Sequence, residues 1–327
     1  MKKLLIVILF LFSNCSFDNK TGIWNNNNID IKKINKFKNF EKLVFKEKIF
    51  NQTKTPPNNL VIESNRIINN EKWLDEFFNE SNNLENFSYS NFNNLTFKSK
   101  KLSRHKSLEN ILFDRNNIIF SDEKGNIIIY SIQNREIIYK YNFYKKKFKK
   151  IKKQLKYIVK ENILYVADNL GYLYAINIDK KDLIWAKNYK VPFRSNLKVI
   201  KDHLVVANQN NNLFIINKYN GEKIKNFPTE EITLKNDFIS SLSISKDHIL
   251  FLNTYGSLYS LRKDDFRINW FVNLNQSLDI NSNNLFFSNP LLINNNLIII
   301  STDPYFYIID IASGAIIFKI PVTSIVK

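Results

Sequence analysis

The sequence predicts an all-β chain folded as a β-propeller of four-stranded blades, and three observations carry that reading. A segment recurs five times beyond residue 110, with Gly125, Gly171, Asn211, Gly256 and Pro304 in corresponding places and spaced by 46, 40, 45 and 48 residues. That is the period of propeller blades. Five of the 6 glycines obey the repeat: Gly125, Gly171 and Gly256 share one register, Gly221 and Gly314 share another, and only Gly22 lies outside. Each repeat also divides into four short apolar runs bounded by Asn, Asp and Gly, the pattern of strands buried between stacked sheets. Sheets of that kind, packed radially, make a propeller.

Aligned, the repeats run Ser121–Tyr130, Ala167–Ile176, Ala207–Ile216, Leu252–Leu261 and Ile300–Ile309. In the third, strands are expected at Leu197–Ile200, Leu204–Ala207, Leu213–Ile216 and Lys223–Phe227, with turns at 201–203, 209–212 and 219–221. Glycine tolerates the positive φ that such turns demand and Asn tolerates it next best, which accounts for Asn211 in a glycine column. A partial blade is expected from Phe87 to Phe113. Ahead of it, Lys72–Asn86 reads as a short helix with Trp73, Phe77 and Phe78 on one face.

The amino end has a different character. Lys2 and Lys3 precede nine unbroken apolar residues, Leu4–Phe12, the size of a signal h-region and far short of the roughly 20 residues that span a bilayer. Ser16 to about Asn70 is rich in Asn and Lys, contains Pro56-Pro57 and reads as a tether with a loosely structured lead-in. The expected organisation is a signal peptide over 1–14, a lipidated tether and lead-in over 15–70, and the propeller over 71–327.

Composition narrows the chemistry. One cysteine excludes disulfides and any cysteine-based zinc or iron-sulfur site. There are 48 Lys+Arg against 30 Asp+Glu, a net charge of +18, which leaves an anionic membrane, an acidic protein face or nucleic acid as partner classes. An exported chain disfavours nucleic acid. Positive charge is densest at Lys145-Lys146-Lys147-Phe148-Lys149-Lys150-Ile151-Lys152-Lys153, either a solvated loop or a contact for anionic headgroups or an acidic face. His203 and His248 occupy one turn of successive repeats, where others place Asn117, Asn162 and Asn296, and read as turn residues; His105 is isolated. No phosphate-cradling glycine loop and no HExxH motif is present.

Two resemblances go further. Phe12-Ser13-Asn14-Cys15 resembles the lipobox of bacterial lipoproteins, which implies cleavage before Cys15 and a lipid on its sulfur. Cleavage would leave 313 residues with charge +16 once Lys2 and Lys3 are lost, and Ser16 after the cysteine implies export to the outer membrane. Gly171-Tyr172-Leu173-Tyr174-Ala175-Ile176-Asn177 followed by Trp185 resembles the PQQ-type repeat, G-x-L-Y-A-L-D and then W. Gly256-Ser257-Leu258-Tyr259-Ser260-Leu261 with Trp270 is similar to it again, and Ile309-Asp310-Ile311-Ala312-Ser313-Gly314 supplies the aspartate and second turn. The tryptophan place holds Tyr139, Lys225 and Phe318 elsewhere. The resemblance implies that Trp185 and Trp270 pack between neighbouring blades.

A lipoprotein signal joined to such repeats resembles the BamB-like lipoproteins of the machinery that assembles outer-membrane β-barrels. Trp73 with Asn82, Asn83 and Asn86 resembles their W-x-x-x-G-G-N lead-in. The family implies eight blades, so five visible repeats and a partial one imply an incomplete eight-bladed ring, truncated at its C-terminus where Ser324–Lys327 resembles the opening of a further blade, or else a smaller closed ring. It also implies a non-catalytic scaffold facing the periplasm, with no cofactor. Its partners would be a BamA-like barrel-assembly protein, nascent outer-membrane proteins and, through the lipid, the membrane. Quinoprotein dehydrogenases share the repeat but use adjacent cysteines and a calcium ion, whereas the cysteine here is the anchor Cys15. No catalytic, cofactor-binding or metal residue is therefore assigned. The alternative is a propeller lipoprotein that binds a ligand or acts on envelope polysaccharide; it predicts aromatic and acidic residues gathered at the central channel.

Overall fold

The computed structural model describes residues 55–322 apart from 59, 65–66, 69–71, 85, 89–94, 96, 231–238, 276–285 and 303–304. The chain divides into the units 1–53 and 54–327, and the first lies outside the described residues. Cys15, the signal segment and most of the tether belong to it, and Ser324–Lys327 at the other end of the chain also lie outside the described residues.

Unit 54–327 is a β-propeller whose described residues form five antiparallel four-stranded sheets, each of strands consecutive in sequence. The first blade holds β1 (Ser107–Asp114), β2 (Asn117–Asp122), β3 (Asn126–Ser131) and β4 (Glu136–Asn142). The second holds β5 (Leu155–Lys160), β6 (Ile163–Asp168), β7 (Tyr172–Asn177) and β8 (Asp182–Asn188). The third holds β9 (Lys198–Ile200), β10 (His203–Ala207), β11 (Leu213–Asn217) and β12 (Lys223–Phe227). The fourth holds β13 (Ser241–Ile244), β14 (His248–Leu252), β15 (Ser257–Arg262) and β16 (Ile268–Asn273), and the fifth β17 (Leu292–Asn294), β18 (Leu297–Ser301), β19 (Tyr305–Asp310) and β20 (Ile316–Pro321).

Residue chemistry explains why the strands read as unbroken apolar runs. Alternate side chains point to opposite faces, and a sheet sandwiched between two others must be apolar on both. Leu112, Ile119 and Ile129 of the first blade meet Tyr157, Leu164 and Tyr174 of the second. On their other face, Ile158, Tyr165 and Ala175 of the second meet Val199, Leu204 and Phe214 of the third. The same relation joins the third to the fourth and the fourth to the fifth. The chain leading into the first blade meets its other face: the Phe97 ring lies tilted 5.8 Å from Tyr130, and Ser103 donates to Asp122 at 2.7 Å.

Two local devices recur in every sheet. At the turn from second to third strand, the residue that ends the second strand or directly follows it accepts backbone N–H groups from the residues after it, as Asp168 does from Leu170 and Tyr172 at 2.8 and 2.7 Å. Asp122, Asn208, Asn253 and Thr302 act alike. Short polar side chains suit this place because they satisfy turn donors locally. In the fourth strand, one extra residue bulges out just before the tryptophan place: Ile138, Ile184, Ile224, Asn269 and Ile317. The bulge twists the outer strand and aims the next side chain at the following blade.

Several expectations are corrected. Ser107–Phe113 is no partial blade but most of β1, and Phe87 instead bridges Ile68. Lys72–Asn86 forms no helix; Asp75–Ser81 runs in turns and bends. The side chains of Asp75 and Asn79 capture the N–H groups of Phe77, Ser81 and Asn83 that a helix would have used, a competition in which Asp and Asn defeat helix formation. His203 and His248 open β10 and β14, in line with Asn117, Ile163 and Leu297, whereas Asn162 and Asn296 fall one place earlier, in the turn itself.

Candidate functional site

The first strands β1, β5, β9, β13 and β17 are innermost, with β1 against β5 and β13 against both β9 and β17. The segment 73–82 runs across all five. Trp73 exchanges backbone hydrogen bonds with Phe113 of β1 at 2.7 and 2.8 Å, and Val159 of β5 donates to the Leu74 carbonyl at 2.8 Å. Lys198 of β9 donates its ammonium to Asp75 and to the Asn79 carbonyl, both at 2.7 Å. Ile244 of β13 donates to the Glu80 carbonyl at 2.8 Å and Ile293 of β17 to that of Ser81 at 2.9 Å. Asn82 then donates one amide to two carbonyls, Leu242 and Leu291, at 2.8 Å each. An innermost strand presents unpaired backbone groups; this axial segment satisfies some of them in four blades and holds the third through the Lys198 side chain.

Its acidic side chains meet lysines of the inner strands. Asp75 pairs with Lys198, both side chains 5% exposed or less; Glu76 pairs with Lys156, and Glu80 with the half-exposed Lys160 at 3.2 Å. Burial, the strongest influence, pushes the Asp75 carboxyl up, and the Lys198 charge pulls against it. For Lys198 burial pushes the ammonium down while Asp75 opposes. Around the entry, the Trp73 and Phe78 rings meet edge to face at 5.2 Å and Phe78 meets Phe87 at 5.1 Å. The acidic and aromatic residues at the axis thus come from the chain's own lead-in and are engaged by protein groups. Sequence reasoning missed this; the signal was the acidic cluster Asp75, Glu76 and Glu80 in a Lys-rich chain, two of whose innermost strands, β5 and β9, carry Lys156, Lys160 and Lys198.

Trp185 and Trp270 pack between blades, as the repeat implies. The Trp185 indole N–H donates to the Lys218 carbonyl of the third blade at 2.9 Å, and that of Trp270 to Ile311 of the fifth at 3.0 Å. Each ring lies on a glycine of the blade it reaches. A Cβ on Gly221 would come within 2.5 Å of Trp185, and one on Gly314 within 2.6 Å of Trp270. Where Lys225 takes the tryptophan place, the fourth blade has Phe266 at the matching positive-φ position. Phe266 is buried, and Lys225 donates to the carbonyls of Asp265 and Phe266 at 3.2 and 3.1 Å.

The histidines stay apart. His248 contacts Ser260 at 3.0 Å and His203 stacks edge-on against Phe266 at 5.0 Å. His105 is exposed, in the stretch before β1. Among the described residues no group of three His, Cys, Asp or Glu is placed to hold a metal.

No family model matches the chain, and no curated protein does. Solved structures do match. The crystal structure of BamB from Moraxella catarrhalis has a TM-score of 0.55 at 11% identity, over 65% of this chain and 64% of that one. A computationally designed protein, Ika8, has a TM-score of 0.52 at 12% identity, over 65% and 63%. Sqt1 of Saccharomyces cerevisiae has a TM-score of 0.51 at 15% identity, over 66% and 62%. The matched region spans less than two thirds of each of those chains, and at these identities the likeness is one of fold.

Proposed function

We propose that this protein is a non-catalytic scaffold lipoprotein of the outer-membrane β-barrel assembly machinery, held to the outer membrane through Cys15 and facing the periplasm. On this reading it binds a BamA-like barrel-assembly protein and helps present nascent outer-membrane proteins. The observation that carries the proposal is the rim. The outermost strands expose large apolar residues in all five blades: Ile137, Ile184, Ile224, Phe271 and Ile316 are 39–62% exposed. Apolar side chains beside an unpaired strand edge suit addition of a strand from a partner. Similarity of fold to BamB supports the same reading.

The filled axis weighs against the ligand-binding or polysaccharide-acting alternative, because the acidic side chains there are paired with lysines from the same chain. A mild-detergent pull-down of the tagged, full-length lipoprotein tests the proposal. Recovery of a BamA-like protein supports it; recovery of none, together with tight sugar binding, favours the alternative.

A further inference from the structure

Independently of the scaffold reading, we infer that the first blade carries, at the end where its chain passes to the second, a binding pocket for a ligand with clustered phosphate groups. The β2–β3 turn, the end of β4 and the following link enclose a cavity of about 400 Å³. Its wall is formed by Lys124, Lys145, Lys146, Lys149, Lys153 and His105, with no carboxylate among the lining residues. This is the basic run singled out in the sequence, now folded into a concavity rather than spread along a loop.

The floor is built. Tyr144 donates its hydroxyl to Asp168 of the second blade at 2.6 Å, which fixes the ring. The ring lies under the β2–β3 turn so closely that a Cβ on Gly125 would sit 2.3 Å from it. Lys153 is 1% exposed, lies 4.9 Å over the same ring and donates to the Phe148 carbonyl. Phe148, in a single 3-10 turn at Lys146–Phe148, packs against Tyr172 at 5.9 Å and so ties the basic link to the second blade. Phe148 thus serves as an anchor between the link and the second blade.

Charge at this pocket is only partly offset, by the Asp168 and Asp122 carboxylates that act on Lys153. Lys156, Lys160 and Lys198 at the axis each have a carboxylate, whereas Lys124, Lys145, Lys146 and Lys149 form no ion pair among the described residues. Burial, with the neighbouring Lys124 charge behind it, pushes the Lys153 ammonium down, and the Asp168 and Asp122 charges oppose this without cancelling it. Crowded like charges favour an anion that removes their repulsion. Compact ammonium donors converging on a small volume fit phosphate oxygens, for which lysine serves as a point charge. The cavity is the size of a headgroup rather than of a folded acidic surface. A membrane lipid headgroup and a free polyphosphate share this chemistry.

The test uses the full chain bearing Cys15→Ser, so that no acyl anchor holds it to vesicles. Three probes are compared: inorganic pyrophosphate by calorimetry, phosphatidylcholine vesicles with or without phosphatidic acid by flotation, and a polyglutamate peptide. Lys145→Gln, Lys146→Gln and Lys149→Gln together remove three exposed, unpaired side chains; an unchanged circular dichroism spectrum verifies the fold. The pocket requires saturable pyrophosphate binding that salt suppresses and that the triple variant weakens at least about tenfold. Flotation dependent on phosphatidic acid and lost in the same variant identifies a lipid headgroup as the source. Pyrophosphate binding without flotation identifies a free phosphate. Binding of neither phosphate probe, binding unchanged in the triple variant, or polyglutamate held as tightly as pyrophosphate would overturn the inference.

Discussion

Lys198 and Asp75, 123 residues apart in sequence, meet at 2.7 Å in the axis of the propeller with almost no solvent around either. The pair fastens the lead-in to the third blade at the midpoint of its passage across five inner strands. Each charge is tolerable only because of the other: burial alone pushes the carboxyl up and the ammonium down.

Removal of one partner should therefore cost much more than removal of both. Asp75→Ala leaves a buried ammonium and is expected to destabilise the fold by about 3–5 kcal/mol. Asp75→Leu combined with Lys198→Met should recover most of that loss. Urea denaturation of Asp75→Leu, Lys198→Met and the double variant measures the coupling; additive losses would show that the pair is not a unit.

The Trp185 ring on Gly221 predicts a steric dependence between blades. Gly221 has φ +68, and its Cβ position falls 2.5 Å from the indole. Gly221→Ala should destabilise by about 1–3 kcal/mol through overpacking. With Trp185→Ala already in place, itself costing about 3–5 kcal/mol, the same change should add little beyond backbone strain. Thermal unfolding of the four proteins reads the difference.

Between the third and fourth blades the relation is inverted, with Lys225 and Phe266 in place of tryptophan and glycine. Lys225→Trp alone should clash with the buried Phe266 and lower the melting temperature. Lys225→Trp with Phe266→Gly rebuilds the pairing found at Trp185–Gly221 and should restore stability relative to Lys225→Trp. A double variant less stable than both singles would refute the pairing rule.

Acid stability should report on Asp122. Burial would raise its carboxyl, but hydrogen bonds from Ser103, from Asn126 and from the Lys124 N–H outweigh it and hold the group below its ordinary value. A carboxyl held low stabilises the folded state above its unfolded pKa and loses that contribution as pH falls through its folded pKa. Relative to wild type, Asp122→Asn should flatten the loss of stability below about pH 3.9, and Ser103→Ala, which raises the folded pKa, should make that loss smaller and complete it at a higher pH. Melting temperatures across an acid series check both.

Much of the fold was legible in residue order. The third blade's strands lie within one residue of their expected bounds, Lys223–Phe227 without change. Gly125, Gly171, Gly256 and Asn211 all adopt the positive φ their column demanded. A repeat constrains each column five times over, so local ambiguity averages out. The lead-in 73–82 occurs once and takes its conformation from five strands far away in sequence, so helical spacing of Trp73, Phe77 and Phe78 misled. Two regularities were visible as letters without their reason. The column Asp122, Asp168, Asn208, Asn253 and Thr302 marks side chains that tie off a turn, and Trp185 with Gly221 and Trp270 with Gly314 are matched across blades. The basic pocket needed the fold, since only the path of the link brings Lys124 beside Lys145, Lys146 and Lys149.

Amide hydrogen exchange on the full-length chain tests the axial passage most directly. Val159, Ile244 and Ile293 sit on innermost strands and donate to Leu74, Glu80 and Ser81; their amides should exchange as slowly as those of Val166 and Ile215 in the middle of their sheets. Fast exchange at all three, with Val166 and Ile215 still protected, would mean that residues 73–82 do not cross the axis.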